Sequence, residues 1–352
     1  MKKMKKIKIK FSGMTGSFDQ NNNFITNILK KHYEIEFSDE PDYLIYSVNS
    51  MDYLKYNCVR IYYTPENLTP DFNLCDYAIG FDYLDFGDRY IRYPIYLVDS
   101  FVAYDNDDYN NDVNLALHKH EISAEEARLQ KKEFCSFVYS NALGAQCRQE
   151  IYKALSKYKK VNSGGRFLNN VGGPIADKLE FQRKHKFVIA FENTSSIGYT
   201  TEKIVHAFSA GAVPIYWGNP EICREFCEGA YINCHKYGLT EQGGADAVAA
   251  IVEEVKRIDN DREVYLKMLR TPAFTAKNDV EKQKEQLEEF LVNIFEQPLE
   301  KAYRRNRFYW GKRYERKQRI GMQYYIALRK LIPIRDFIMN RVKNNEATEQ
   351  EE

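Results

Sequence analysis

The sequence predicts an α/β protein of two mainly parallel sheets that face each other across a cleft, and three observations predict it. Segments of strand length alternate with helical or loop segments from residue 5 onward, the rhythm of βαβ units. A second series of the same kind restarts at CSFVYSN, residues 135–141. The chain has 352 residues, 44% of them apolar, enough for two such domains of ordinary size.

The elements follow in order. The N-terminal MKKMKKIKIKFSG has a basic start, but Ile7, Ile9 and Phe11 alternate with lysines, so it reads as a first strand and not as a signal peptide. A helix, FITNILKKHY, comes next, then strands YEIEF, DYLIYSV, CVRIYYT and DYAIGFDYL. The polar run DNDDYNND, residues 105–112, reads as a surface loop, followed by a helix near Ala124–Lys132. The second series runs through KFVIAFEN and AVPIYWG and ends in helices near Ala245–Ile258 and Val280–Phe295. The predicted domains are therefore 1–134 and 135–299, with no repeat at a fixed period.

Composition excludes several classes. No run of 18 apolar residues is present to span a bilayer. Seven cysteines at scattered positions read as reduced thiols in a cytoplasm, not as a disulfide framework. Cys223, Cys227, Cys234 and His235 can be drawn as a zinc set, but free thiols are the plainer reading, and no metal is expected. A dinucleotide fingerprint, a phosphate-loop lysine motif and a Gly-x-Ser-x-Gly elbow are all missing.

Charge is divided unevenly. Residues 301–343 hold 14 Lys/Arg against 2 Asp/Glu, leaving 37 against 48 elsewhere, so a tail of net charge +12 follows an acidic body. The tail interleaves those cations with Tyr303, Phe308, Tyr309, Trp310, Tyr314, Tyr324 and Tyr325 and is broken at Pro333. Residues 300–352 read as a separate basic, amphipathic appendage for an anionic membrane surface. A nucleic-acid arm would use the same charges, but no nucleic acid is expected as a partner. The two domains look complete without the tail, so a chain ended near Leu299 is expected to stay folded.

Two such sheets hold ligands at the carboxyl ends of their strands. KFVIAFEN runs through a Ser/Gly loop into Thr200 or Thr201, a natural N-cap, and the helix EKIVHAFSA stops at Gly211. Glu202 and Lys203 thus fall in the first helical turn. Free N–H groups there attract anions, a lysine strengthens the pull on a phosphate, and a glutamate can accept hydrogen bonds from sugar hydroxyls. The bland alternative is a favourable helix-start glutamate beside a solvated lysine. Residues alone lead to a nucleotide or phosphate-ester site between two α/β domains.

The stretch FENTSSIGYTTEKIVHAFSAGAVPIYWGNP resembles the signature of the α-1,3-fucosyltransferases, glycosyltransferase family 10. RIYYTPENLTPDFNLCDYAIGFDYLDFGDRYIRYPIY resembles its bacterial branch, and with FVYSNALGAQCRQEIYKAL the similarity spans about residues 58 to 300. Thr200 departs from a common valine and Ile197 from an aromatic residue of some relatives. The resemblance implies a GT-B architecture, two Rossmann-like domains facing across a cleft, with acceptor bound by the first and GDP-fucose by the second. It implies inverting, metal-independent transfer of L-fucose to the 3-hydroxyl of GlcNAc or Glc in a lactosamine- or lactose-type oligosaccharide acceptor, with no cofactor beyond the donor. The resemblance points to Lewis-type glycan synthesis; the scattered thiols add a cytoplasmic setting and the basic tail a peripheral place on the inner membrane face. The rival expectations are a GT-B transferase for another nucleotide sugar and a catalytically silent glycan- or membrane-binding relative. Donor-binding residues carry over to Arg148, Asn193, Tyr199, Glu202 and Lys203. The catalytic base carries over to Glu66, which directly follows the strand CVRIYYT, with Asp82, Asp85 and Glu192 as rival carboxylates.

Overall fold

The structure, a computed structural model, describes residues 4–16, 18–98, 112–121 and 123–324. All but the last residue of the polar run at 105–112, together with Tyr325, Pro333 and the rest of the basic tail, lie outside these residues.

The first half comprises β1 (Lys5–Ser12), α1 (Phe24–His32), β2 (Tyr33–Phe37), β3 (Tyr43–Tyr46), β4 (Val59–Tyr63), β5 (Tyr77–Gly80) and β6 (Tyr90–Arg92). They form one parallel sheet in the order β2-β1-β3-β4-β5-β6. In β1, Ile7 and Ile9 are buried while Lys6 and Lys8 are exposed, as a strand beside the edge allows. β4 is buried on both faces. Val59, Ile61 and Tyr63 join the main core, whereas Arg60 and Tyr62 point to a smaller layer with Leu44, Tyr46 and Ala78.

The second half contains α2 (Asp112–Leu117), α3 (Ala124–Gln130), β7 (Glu133–Phe137), α4 (Gln146–Tyr158), β8 (Val161–Ser163), α5 (Lys178–Arg183) and β9 (His185–Phe191). It continues with α6 (Glu202–Ser209), β10 (Val213–Trp217), β11 (Ile232–Asn233), α7 (Ala245–Asn260), α8 (Arg262–Arg270), α9 (Val280–Glu296) and α10 (Leu299–Ala302). Its parallel sheet has the order β11-β10-β9-β7-β8. Numbered within their own halves, both sheets begin 2-1-3-4-5, so the molecule uses one doubly wound topology twice.

The packing boundaries differ from the sequence boundaries at 134 and 299. α2 lies against α6, where Ser209 Oγ donates to the Asp112 carbonyl, and α3 lies against α8, so residues 112–130 go with the second sheet. α9 returns to the first sheet. Phe295 meets the rings of Tyr33 and Tyr43 at 5.8 and 4.4 Å, Phe290 meets Tyr77 at 6.2 Å, and Lys5 Nζ donates to the Phe295 carbonyl at 2.6 Å. Its apolar face needs a partner, and the tyrosine-lined flank of the first sheet supplies one.

The start of the tail is no separate appendage. Arg305 and Asp76 form an ion pair in which both side chains are fully buried, and Asp76 Oδ1 also accepts from the backbone N–H of Arg304 (2.8 Å) and Arg305 (2.9 Å). Glu315 meets buried Arg60 at 2.8 Å, and Tyr314 donates to Asp71 at 2.7 Å. Residues 303–315 thus cover the smaller layer of the first sheet. A surplus of cations reads as a solvated surface, and here some of those cations instead neutralise buried carboxylates.

Candidate active site

Chain order within a sheet decides where a crevice opens. Where the strand order reverses, the helices after the two flanking strands run down opposite faces, and their leading loops part at the carboxyl end. In the second sheet this point lies between β7 and β9. Residues 138–145 lead from β7 to α4 and residues 192–201 from β9 to α6, and the Ala145 N–H donates to the Asn193 carbonyl at 2.9 Å, tying the two loops together. Arg148, Asn193, Tyr199, Glu202 and Lys203 all lie on these loops or on the first turns after them.

Arg148 is only 1% exposed, so it is not a solvated helix residue. Nη1 donates to Asn193 Oδ1 at 3.2 Å, Nη2 donates to the Asn141 carbonyl at 2.6 Å, and the guanidinium lies 4.3 Å over the Tyr139 ring. A Cβ on Gly144 would come within 2.3 Å of Arg148 Cζ, which explains the glycine. Burial lowers the Arg148 pKa, yet an arginine stays cationic.

Beneath α6 lies Glu192, fully buried at the end of β9. Its Oε1 accepts from the Thr201 N–H at 2.8 Å, and Oε2 accepts from Thr201 Oγ1 at 2.6 Å and Lys203 Nζ at 3.0 Å. A Cβ on Gly218 would approach Glu192 Cγ to 2.3 Å, so the wall on that side is glycine. With both oxygens bound, Glu192 is an anchor for Lys203 and no rival base. Thr201 is the N-cap residue, but its hydroxyl turns to Glu192 and caps no helical N–H of α6. Burial disfavours the charge on Lys203, but Glu192 and Glu202 outweigh it and hold the ammonium well above its ordinary range. Burial likewise opposes ionisation of Glu202, yet the cations beside it, Lys203 first and then Lys178, bring its pKa down to about 2. Tyr199 is buried in the floor between the halves, edge-on to Phe81 at 5.1 Å, not on an open face.

Glu66 is exposed on the loop after β4. Its neighbour Asn67 reaches across the molecule, Nδ2 donating to Thr194 Oγ1 at 2.7 Å and Ser196 Oγ at 2.8 Å. The loop of Glu66 is therefore fastened to the loop that leads into α6. Asp82 and Asp85 sit after β5; burial raises the pKa of Asp82, whose Oδ1 accepts from Thr69 at 3.1 Å, and Asp85 is exposed. The halves are also joined by a pair between half-buried Arg92 and buried Glu225 and by Gly198, whose φ of +82° and 2.6 Å approach to the Phe81 carbonyl leave no room for a side chain. Among the described residues, no three of His, Cys, Asp and Glu gather as a metal site.

Two family models match the chain: the N-terminal domain of the α-(1,3)-fucosyltransferase FucT over residues 9–99, and the C-terminal domain of glycosyltransferase family 10 (fucosyltransferase) over residues 128–290. The chain belongs to glycosyltransferase family 10. Its relatives include the α-(1,3)-fucosyltransferase FucT of Helicobacter pylori, 35% identical over 60% of this chain and 47% of that protein. Another is a putative fucosyltransferase of Acanthamoeba polyphaga mimivirus, 27% identical over 41% of this chain and 24% of that protein. The matches thus span about half the length of the first relative or less. A solved α1,3-fucosyltransferase with GDP-fucose superposes with a TM-score of 0.64 at 28% identity, covering 85% of this chain and 94% of that one. The same enzyme class with GDP gives 0.65, covering 83% and 92%. The two facing sheets are the GT-B architecture of these structures.

In this family 10 chain, the sequence missed groups that hold the candidate residues, Tyr139 and Asn141 around Arg148 and Lys178 with His206 beside Glu202, and it offered Glu192 only as a rival base, not as the partner of Lys203. Only their places at strand ends or one helical turn on could have marked them.

Proposed function

We propose that the chain is an inverting α-1,3-fucosyltransferase that moves L-fucose from GDP-β-L-fucose to the 3-hydroxyl of GlcNAc or Glc in a lactosamine- or lactose-type acceptor, as in Lewis-type glycan synthesis. One observation carries this reading. The Glu66 loop is hydrogen-bonded to Thr194 and Ser196, on the loop that leads into α6; the first turn of that helix carries Lys203, and Asn193 on the loop accepts from Arg148. Glu66 removes the proton of the acceptor hydroxyl as that oxygen attacks the anomeric carbon from the face opposite the diphosphate. The carbon–oxygen bond to GDP breaks and the leaving oxygen takes the electron pair. Arg148, Lys203 and the N-terminus of α6 offset the charge that grows there, favouring the transition state over the ground state. Glu202 accepts hydrogen bonds from the ribose hydroxyls, and Asn193 and Tyr199 shape the donor site. The two protein cations support a metal-independent step.

The test is transfer from GDP-fucose to a small panel of disaccharides in excess EDTA, with linkage analysis of the products. Transfer to O3 of GlcNAc or Glc is expected. Activity only with another nucleotide sugar, or only with an added divalent ion, would overturn this assignment.

A second observation supports a membrane-surface role. Phe308, Tyr309 and Trp310 are 84%, 68% and 66% exposed at the start of the helical residues 309–324, beside Lys312, Arg313, Arg316 and Lys317. Binding of the full chain to anionic vesicles at low salt is expected to fall when Tyr309 and Trp310 are both changed to Ala. Unchanged binding would remove those aromatics from the interface.

A further inference from the structure

Behind Glu202 stands a chain of polar groups that the proposed chemistry does not use. Lys178, half-buried at the start of α5, places Nζ 2.6 Å from His206 Nδ1, and His206 Nε2 lies 3.2 Å from Asp112 Oδ2. An ammonium can only donate, so Nδ1 is the acceptor, and the ring proton on Nε2 is left to face Asp112. The contacts therefore fix the imidazole tautomer. His206 is four residues after Glu202, so both side chains lie on one stripe of α6. Three elements meet there: α5 supplies Lys178, α2 supplies Asp112, and α6 supplies Glu202, Lys203 and His206, with Glu192 below at the end of β9. Within this group Lys203 is already paired with Glu192, and the near neighbour of Lys178 is an imidazole, not a carboxylate.

We propose that Lys178 is a positioning residue of the donor site: its ammonium, oriented by His206 and Asp112, fixes the charge and direction of the Glu202 carboxylate that receives the ribose hydroxyls. This rests on the donor-site reading of Glu202 given above. Lys178 acts on Glu202 through space, with Lys178 half-buried and the Glu202 side chain 38% exposed, so the interaction is partly screened. Burial lowers the Lys178 pKa, and Glu202 is the strongest charge opposing that loss; in turn Lys178 is second only to Lys203 among the cations that keep Glu202 ionised.

The test compares binding of GDP and 2′,3′-dideoxy-GDP, which lacks the ribose hydroxyls, by calorimetric titration of the wild type, Lys178→Met, Lys178→Gln, Glu202→Gln and the double variant Lys178→Met/Glu202→Gln. The wild type should prefer GDP. Lys178→Met should weaken GDP by roughly three- to tenfold and leave dideoxy-GDP within about twofold, and it should add little in the Glu202→Gln background, since the two act as one unit. Lys178→Gln, which keeps a donor for His206 but no charge, should show the same selective loss, and it carries the test if the methionine variant does not fold. Equal loss of GDP and dideoxy-GDP would overturn the proposal by making Lys178 a phosphate ligand or a structural group. A wild type that does not distinguish the two nucleotides would instead remove the ribose role of Glu202 itself.

Discussion

At the scale of single residues, the candidate site divides into groups that face the cleft and groups that hold them. Glu66 is exposed and carries no structural bond through its carboxylate among the contacts described, so Glu66→Gln should leave the fold unchanged. Its kcat should fall by about 10² to 10⁴, the usual worth of a general base, with GDP affinity within about threefold of wild type. Parallel kinetics of Asp82→Asn and Asp85→Asn test the rivals, and a Glu66→Gln enzyme keeping more than about a tenth of wild-type kcat would move proton removal elsewhere. Lys203 behaves differently because Glu192 beneath it is fully buried. Lys203→Ala strands that carboxylate and should cost about 3 kcal/mol or more of stability in denaturant unfolding as well as donor affinity. Adding Glu192→Gln should recover much of the stability but not the GDP binding. Recovery of both would make the Lys203 pair a fold element only. The sequence revealed Glu202 and Lys203 because helix starts carry their own signals. It did not reveal Glu192 as their anchor, since that role depends on a glycine 26 positions away pressing against it.

At the scale of elements, strand existence was legible because β3, β4, β5, β9 and β10 are short apolar runs, and the helix after β9 was legible from its cap and stop residues. The destinations of α2, α3 and α9 were not, because an amphipathic face shows that it needs a partner without showing which sheet provides it. Helix ends in this protein are also closed by buried lysines. Lys119 is buried with Nζ donating to the carbonyls of Met268 and Leu269, 3.2 and 3.1 Å away at the last turn of α8. Burial lowers its pKa to about 7. An unfolded lysine titrates near 10.4, so between about pH 7 and that value the unfolded chain binds more protons than the folded one, and stability rises with pH across the window. Half-buried Lys131 and the buried cysteines also titrate differently in the unfolded chain, so the test is the difference between two proteins: in denaturant unfolding from pH 7 to 9 the wild type should gain stability with pH relative to Lys119→Met. A variant with the same slope as the wild type would mean that Lys119 stays protonated.

At the scale of the whole molecule, the tail is where composition misled most. Fourteen cations among residues 301–343 suggested an appendage, and a chain ended near Leu299 was expected to remain folded. Arg305 lies fully buried against Asp76, and Asp76 Oδ2 also accepts from the Arg60 N–H at 2.8 Å on the central strand β4. Ending the chain at Leu299 would leave Asp76 and Arg60 in an apolar layer without Arg305 and Glu315. Breaking buried pairs in this way costs about 3 to 5 kcal/mol for one pair, a large share of the 5 to 15 kcal/mol that holds a typical domain together. A 1–299 chain should therefore unfold at clearly lower denaturant than the full chain and lose activity with its first domain, whereas a 1–324 chain should keep both. Arg305→Met in the full chain separates loss of the pair from loss of the segment and should reproduce most of the destabilisation. Equal unfolding midpoints for 1–299 and the full chain would restore the tail to an appendage. If the midpoints differ as expected, residues 303–315 join the helix that exposes Tyr309 and Trp310 firmly to the proposed acceptor domain, so under the proposed membrane role any contact made through those rings would also set the orientation of the cleft.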